Sequence, residues 1–134
     1  MTPELRWDET DFLDCLEVFP EIDEDFYLSY VYKVTKLGMV LTVVVWPLES
    51  LVSMSLRQQE MQASLIEVAL CVRGSVRYIK DKRGDYLEFP DCVFLPNITS
   101  PQLVEDAFDR TISSCGATLQ LAIKPHIQIR HARD

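Results

Sequence analysis

The feature that most constrains this chain is a change in the spacing of its apolar residues near residue 26. Beyond that point apolar side chains recur at every second position, as Leu28, Tyr30, Tyr32 and Val34 do before a turn at residues 36–38. Side chains of a β-strand alternate between the two faces of a sheet, so this spacing predicts strands with one buried face. The core is therefore expected to form on a sheet.

The strands that follow differ in how they are covered. Met39–Trp46 is apolar on both faces and rich in β-branched residues, which predicts a central strand covered on both sides. Val52–Leu56 and the segment 64–73 alternate again, which predicts half-exposed strands. Asp81–Gly84 is the clearest turn, because Gly84 can supply the left-handed residue that closes a hairpin. The remaining segments bring the count to six to eight mostly antiparallel strands, in a meander or a small sandwich.

Before residue 26 the spacing of apolar residues is helical. Phe12, Leu13 and Leu16 share one side of a helix predicted over Glu9–Val18, with Asp8 as its N-cap and Pro20 after its end. The fold class predicted for the whole chain is α+β, a mainly antiparallel β-sheet with an N-terminal amphipathic helix packed on it.

All 134 residues are expected to form a single domain. Its predicted parts are an acidic helix and connector (1–25) and a β-meander (26–95), followed by an irregular segment (96–116) and C-terminal strands (117–131). A short helix is predicted to begin near residue 100, within the irregular segment.

Acidic charge is concentrated at the start of the chain. The whole chain carries a net charge of −8, yet the segment Glu4–Asp25 holds ten acidic residues and a single base, Arg6, a net of −9. A field of this sign repels phosphate backbones and anionic lipid, so neither nucleic acid nor a membrane is an expected partner. It attracts basic proteins. The alternative is a solvated polar face that keeps the protein soluble.

Several kinds of chemistry lack their residues in this sequence. Four scattered glycines do not build a phosphate-binding loop, and the four cysteines form no CxxC pair of the kind that holds zinc. His126 and His131 lie five residues apart, so on a continuous strand they would point to opposite faces. We therefore expect no cofactor and no metal, and a function more in keeping with binding than with catalysis.

The compartment expected from the sequence is the cytoplasm. The first residues have neither the cationic start nor the apolar stretch of a secretory signal. Met39–Trp46 is also far shorter than the ~18 apolar residues that a membrane span needs. The cysteines are then expected to be thiols, with Cys71 and Cys92 as small core residues.

Three functional hypotheses fit these observations. The first is a non-enzymatic interaction protein whose acidic N-terminal surface binds a basic protein partner, with an immunity- or antitoxin-type inhibitor as its specific form. The residues assigned to that surface are Asp8, Asp11, Asp14, Glu17, Asp23, Glu24 and Asp25.

The second hypothesis is a small-ligand-binding or enzymatic β domain with a pocket lined by strand residues. The candidate ligand-binding residues are Glu67, Arg77, Glu88 and His126. The two glutamates are candidates because each interrupts an apolar strand. The alternative is that they face solvent or form an ion pair with Arg73 or Arg77.

The third hypothesis is a symmetric assembly, a homodimer that pairs edge to edge through Val52–Leu56. A further possibility concerns the fold itself. The acidic segment is expected to lie near the basic residues between Arg73 and Arg83, so that each would screen the other's charge.

Overall fold

The helix and strands of this protein follow one another in a simple order. The computed structural model describes residues 3–25, 27–82, 84–95 and 116–132. Those residues contain one α-helix, one 3-10 turn at Pro47–Glu49 and nine strands. The elements are α1 (Glu9–Leu16), β1 (Glu21–Asp23), β2 (Ser29–Lys36), β3 (Met39–Trp46), β4 (Leu51–Gln58), β5 (Ile66–Val72), β6 (Arg77–Asp81), β7 (Gly84–Leu95), β8 (Ala117–Ala122) and β9 (Gln128–Ala132).

All nine strands belong to one antiparallel sheet. Its order is β1-β2-β3-β4-β5-β7-β8-β9, and β6 pairs with β7 beside β5. The twelve residues of β7 allow this, because Gly84–Glu88 pairs with β6 while Cys92–Leu95 pairs with β5. β8 lies along the other edge of β7. The predicted α+β class, an antiparallel sheet with one N-terminal helix, is confirmed.

Two differences from the predicted strands have simple causes. The acidic connector contributes a short strand, because Glu21–Asp23 pairs with Ser29–Val31 at the edge of the sheet. Near Gly74 the chain leaves the edge of β7 and rejoins it as β6, which separates two strands that alternation alone would merge. A Cβ atom on Gly74 would lie 2.8 Å from Cγ of Pro90, so the close approach of these segments needs glycine there.

The hypothesis of a homodimer through an edge strand at Val52–Leu56 is wrong for this fold. These residues lie in β4, which pairs with β3 on one side and with β5 on the other. Its backbone hydrogen-bonding groups are therefore used within the chain. Alternation showed which face of the strand is buried, but it carries no information about how many neighbours the strand has.

The helix α1 begins where the sequence predicted and ends earlier. The side chain of Asp8 caps it by accepting a hydrogen bond from the Thr10 amide at 2.8 Å. Glu17 then adopts a left-handed conformation, with φ of 61°, and its amide donates to the Leu13 carbonyl. The helix therefore stops at Leu16, two residues before the predicted end.

The main core lies between α1 and one face of the sheet. Phe12 and Leu16 of α1 belong to a buried cluster with side chains from β2 to β8, and Tyr32 and Phe89 are the largest fully buried side chains of the sheet. Ring centroids of Phe12 and Phe89 are 6.0 Å apart in an edge-to-face contact. A smaller cluster on the opposite face joins Leu51 and Cys71 to neighbouring apolar side chains.

Some predictions concern residues outside the described ranges. These are the irregular segment up to residue 115, the short helix near residue 100, Cys115, and Arg83 of the basic cluster. Within the described ranges, no helix has the length and hydropathy needed to cross a membrane. Cys15, Cys71 and Cys92 are buried free thiols.

Candidate partner-binding surface

The predicted acidic residues lie on α1, on β1 and on the turn after it. Asp8, Asp14 and Glu17 are exposed on the helix, and Asp11 is half-buried. Every residue from Glu21 to Asp25 is exposed. We call these two groups together the acidic surface; its predicted members are Asp8, Asp11, Asp14, Glu17, Asp23, Glu24 and Asp25.

Two of these carboxylates also stabilise the backbone that carries them. Asp8 caps α1, and an acidic side chain at that position interacts well with the positive end of the helix dipole. Oδ1 of Asp23 accepts a hydrogen bond from the amide of Asp25 at 2.9 Å, which closes the turn after β1. These roles use hydrogen bonds to amides and leave the negative charges unpaired.

One member of the acidic surface forms an ion pair within the described residues. Nζ of Lys124 pairs with a carboxylate oxygen of Glu17, and both side chains are about half exposed. Among the residues that the structure describes, no other ion pair joins the segment Glu4–Asp25 to a lysine or arginine.

The helix lies near the basic hairpin, as the intramolecular hypothesis expected, but two arginines of the basic cluster pair with carboxylates outside the acidic segment. The helix α1 does contact β6 and β7. However, Arg77 pairs with Glu88, and the guanidinium of Arg73, whose side chain is 3% exposed, lies 2.6 Å from Asp91. Nζ of Lys80 lies 5.3 Å from the centroid of the Tyr78 ring.

Repulsion within the acidic surface is visible at Asp11. Partial burial raises the pKa of its carboxyl, and the negative charges of Asp8 and Asp14 raise it further. These three residues lie on consecutive turns of chain at spacings of three, so their charges are close together on the helix. The ionised Asp11 carboxylate therefore costs some stability, whereas Asp8 stabilises the helix as its cap.

Tyr30 of β2 connects the helix to the turn after β1. A hydrogen bond with Glu9 raises the pKa of its hydroxyl, and burial and the charges of Glu9 and Glu24 act in the same direction. The Tyr30 ring also contacts Trp7, with centroids 4.9 Å apart. The charges of a helix residue, Glu9, and of a residue after β1, Glu24, therefore both act on Tyr30.

Glu9 and three exposed apolar residues of this region were not among the residues predicted from the sequence. Phe19 is 81% exposed, Ile22 is 52% exposed and Tyr27 is 67% exposed. The signal was present in the sequence, because Phe19 and Ile22 interrupt an otherwise acidic connector that has no core to bury them. Glu9 follows directly after the predicted cap.

The alternative ligand-binding residues are divided between different parts of the sheet. Arg77 and Glu88 are directly opposed across β6 and β7 and form an ion pair. Nε2 of Gln120 donates to the other carboxylate oxygen of Glu88 at 3.2 Å, so this glutamate is fully partnered. An ion pair with Arg77 is one of the alternatives predicted for Glu88 from the sequence.

Glu67 and His126 lie elsewhere. Glu67 is exposed on β5, opposite Ser55 of β4. His126 is exposed between β8 and β9, where its Nε2 lies 2.8 Å from Nε2 of Gln128. No cluster of three or more metal-ligating side chains occurs in the described part of the chain.

The buried thiols are not poised for nucleophilic chemistry. Burial raises the pKa of Cys15, Cys71 and Cys92 to about 12 in each case. A thiol acts as a nucleophile in its thiolate form, and these thiols stay protonated near neutral pH.

The described part of the chain has an α+β fold in which one antiparallel sheet packs against an N-terminal helix. One solved structure with this fold is a chain of a contact-dependent growth inhibition toxin–immunity protein complex from Klebsiella pneumoniae 342. The two chains are 18% identical and superpose over 98% of each with a TM-score of 0.69. No protein-family model matches the chain, and no curated protein matches it.

Proposed function

We propose that this chain is a non-enzymatic interaction protein that binds a basic protein partner through the acidic surface. The observation that carries the proposal is the exposure of carboxylates on α1, β1 and the following turn. Of these carboxylates, only that of Glu17 forms an ion pair with another described residue. Unpaired charge of one sign steers a partner of opposite charge and raises the rate of association.

The repulsion around Asp11 supports the same conclusion. Partial burial and the charges of Asp8 and Asp14 raise the pKa of Asp11, which lowers the stability of the folded protein at neutral pH. Sites that bind partners commonly retain such arrangements at some cost in stability.

An immunity-type inhibitor is the specific form of this function that we favour. The fold neighbour from Klebsiella pneumoniae 342 is part of a complex between a growth inhibition toxin and its immunity protein. A small acidic protein suits inhibition of a cationic enzyme, because fast association gives protection before the enzyme acts. We place the protein in the cytoplasm, as a single domain.

A capture experiment with the full chain tests the proposal. The tagged protein is incubated with lysate of its native cells at low salt, and retained proteins are identified and purified. Binding of each retained protein is then measured at two salt concentrations. We expect a basic partner whose association slows when salt is raised, because screening shortens the range of the attraction.

A matched pair of variants separates this surface from general acidity. The triple variant Asp23→Asn, Glu24→Gln, Asp25→Asn removes three charges and keeps side-chain oxygens, including the one that accepts from the Asp25 amide. The control Glu60→Gln, Glu67→Gln removes two exposed charges from another part of the molecule. We expect the first to weaken binding about tenfold and the second to leave it nearly unchanged.

Two results would contradict the proposal. One is a partner whose binding is unaffected by salt and by the triple variant. The other concerns the immunity-type form alone: a partner that inhibits growth when expressed by itself and still inhibits growth when this chain is co-expressed with it.

A further inference from the structure

Three large apolar side chains project from the acidic surface. Phe19, Ile22 and Tyr27 are each more than half exposed, and all three lie within nine residues of sequence. Scattered exposed apolar residues are ordinary, but a group of them rimmed by charge marks a place where another molecule binds. Charge steering alone does not require these side chains.

The pairing of β1 with β2 places Ile22 on the outermost strand of the sheet, with Phe19 and Tyr27 on either side of that strand in the sequence. Ile22 lies opposite Tyr30, while Phe19 precedes β1 and Tyr27 follows the turn that joins β1 to β2. The extended chain from Phe19 to Asp25 spans at most roughly 20 Å. Ile22 lies between Glu21 and Asp23, and acidic residues stand two positions from Phe19 and from Tyr27 in the sequence.

The apolar edge continues into the core. Tyr30, opposite Ile22, packs on the half-buried ring of Trp7, which contacts Phe12 with centroids 5.0 Å apart. The edge is therefore supported by packed rings from beneath. A rigid support lowers the entropy that the surface loses on binding.

β1 also offers unpaired backbone groups. It stands at the end of the sheet, and within the described residues its one strand partner is β2. The outer N–H and C=O groups of β1 are thus available to a neighbouring molecule. Hydrogen bonds to the backbone would orient a partner along the same edge as the apolar side chains.

We infer that Phe19, Ile22 and Tyr27 anchor the partner in this surface, and that the partner is a basic protein with a shallow apolar groove bordered by lysine or arginine. This inference rests on the function proposed above. Interfaces are typically held by a few large anchors at their centre, with polar contacts around them. The acidic residues then form the rim that selects the partner's charge.

Charge complementarity identifies this occupant rather than a second copy of the chain. The segment Glu4–Asp25 carries a net charge of −9, so two copies meeting at this edge would bring like charges together. Like charges across an interface oppose association. A basic partner removes that penalty.

A display library of random dodecapeptides provides a defined probe. The library is selected on the immobilised full chain, and the most enriched peptide is synthesised for affinity measurement. We expect enriched peptides to combine lysine or arginine with an aromatic or large aliphatic residue. The same peptide is then measured against variants of the chain at two salt concentrations.

The matched variants are Phe19→Ser and Leu37→Ser. Leu37 is 78% exposed in the turn between β2 and β3. Its replacement therefore removes an apolar side chain about as exposed as Phe19 from a different part of the surface. We expect Phe19→Ser to weaken peptide binding about tenfold or more, with an unchanged dependence on salt. Leu37→Ser should bind as the unmodified chain does, and urea unfolding should show that both variants remain folded.

The outcomes separate the inference from the proposed function. If Phe19→Ser binds normally while the triple charge variant at residues 23–25 does not, or if no peptide is enriched, the anchor inference is overturned and the charge hypothesis stands. If the enriched peptides lack basic residues and bind the triple charge variant as tightly as the unmodified chain, the proposed function itself fails. A dimer of the unmodified chain that Phe19→Ser dissociates in sedimentation would reassign the anchors to self-association and overturn the inference.

Discussion

Replacing Phe12 with alanine tests how the acidic surface is attached to the sheet. Phe12 is fully buried, and its ring centroid lies 5.0 Å from that of Trp7, 5.3 Å from that of Tyr32 and 6.0 Å from that of Phe89. The helix that carries it has eight residues. An isolated helix of that length is unstable in water, so α1 depends on packing of this kind.

The expected loss follows from burial and ring contacts. Truncation of a buried phenylalanine to alanine costs about 3–5 kcal/mol, because apolar area returns to water and a cavity remains. Each aromatic contact contributes about 0.5–1.5 kcal/mol of that sum. Natural domains have about 5–15 kcal/mol of stability, so the variant should still fold at 25 °C with a clearly lower urea midpoint.

Urea unfolding and tryptophan fluorescence measure the two consequences separately. In a Trp46→Phe background Trp7 is the remaining tryptophan of the chain and reports on the environment of the helix. We expect Phe12→Ala to shift its emission to longer wavelength as water reaches the ring. Phe12→Leu keeps an apolar side chain but loses the ring contacts, so it should lose less stability than Phe12→Ala does.

A loss below about 1 kcal/mol for Phe12→Ala would refute this reasoning, since typical surface substitutions cost that little. Unchanged Trp7 emission combined with a large loss would show that α1 stays docked without Phe12. The acidic surface would then be held by other contacts of the helix.

Three further predictions concern charge. The buried thiols stay protonated in the folded protein up to about pH 12, whereas thiols of the unfolded chain ionise near pH 9. The free energy of unfolding should therefore fall as pH rises between these values, by about 1.4 kcal/mol per thiol per pH unit. Urea unfolding at several pH values should show a shallower slope for Cys71→Ala. Asp14→Asn relieves repulsion and should raise the melting temperature by about 1–3 °C, whereas Glu17→Gln loses an ion pair and should lower it slightly. Asparagine at position 91 suits the left-handed backbone there, which has φ of 55°, but Asp91→Asn weakens the contact with buried Arg73. Calorimetry should show that this variant loses about 1–3 kcal/mol of stability.

The sequence predicted those features that depend on local patterns. Alternation identified β2 and β4, and the apolar run Met39–Trp46 coincides with β3. Asp8 caps the helix, and Asp81 pairs with Gly84 at the predicted turn. Each of these features is determined by a few neighbouring residues, so a single sequence contains the information for it.

Features that depend on distant neighbours were not predicted. The interior position of β4 depends on β5, and the short strand β1 exists because β2 offers it a free edge. The same limit applies to the candidate surface. The sequence located its acidic residues, but the junction at Tyr30 between the helix and the turn depends on tertiary packing.

The position of β7 has a consequence for how the molecule opens. β7 is hydrogen-bonded along both edges, to β5 and β6 on one side and to β8 on the other, whereas β1 is bonded to β2 at the margin of the sheet. Deuterium should therefore replace amide protons last along β7 and early along β1, because exchange needs local opening. The proposed binding edge is thus among the strands expected to exchange early, and an occupant there would slow its exchange.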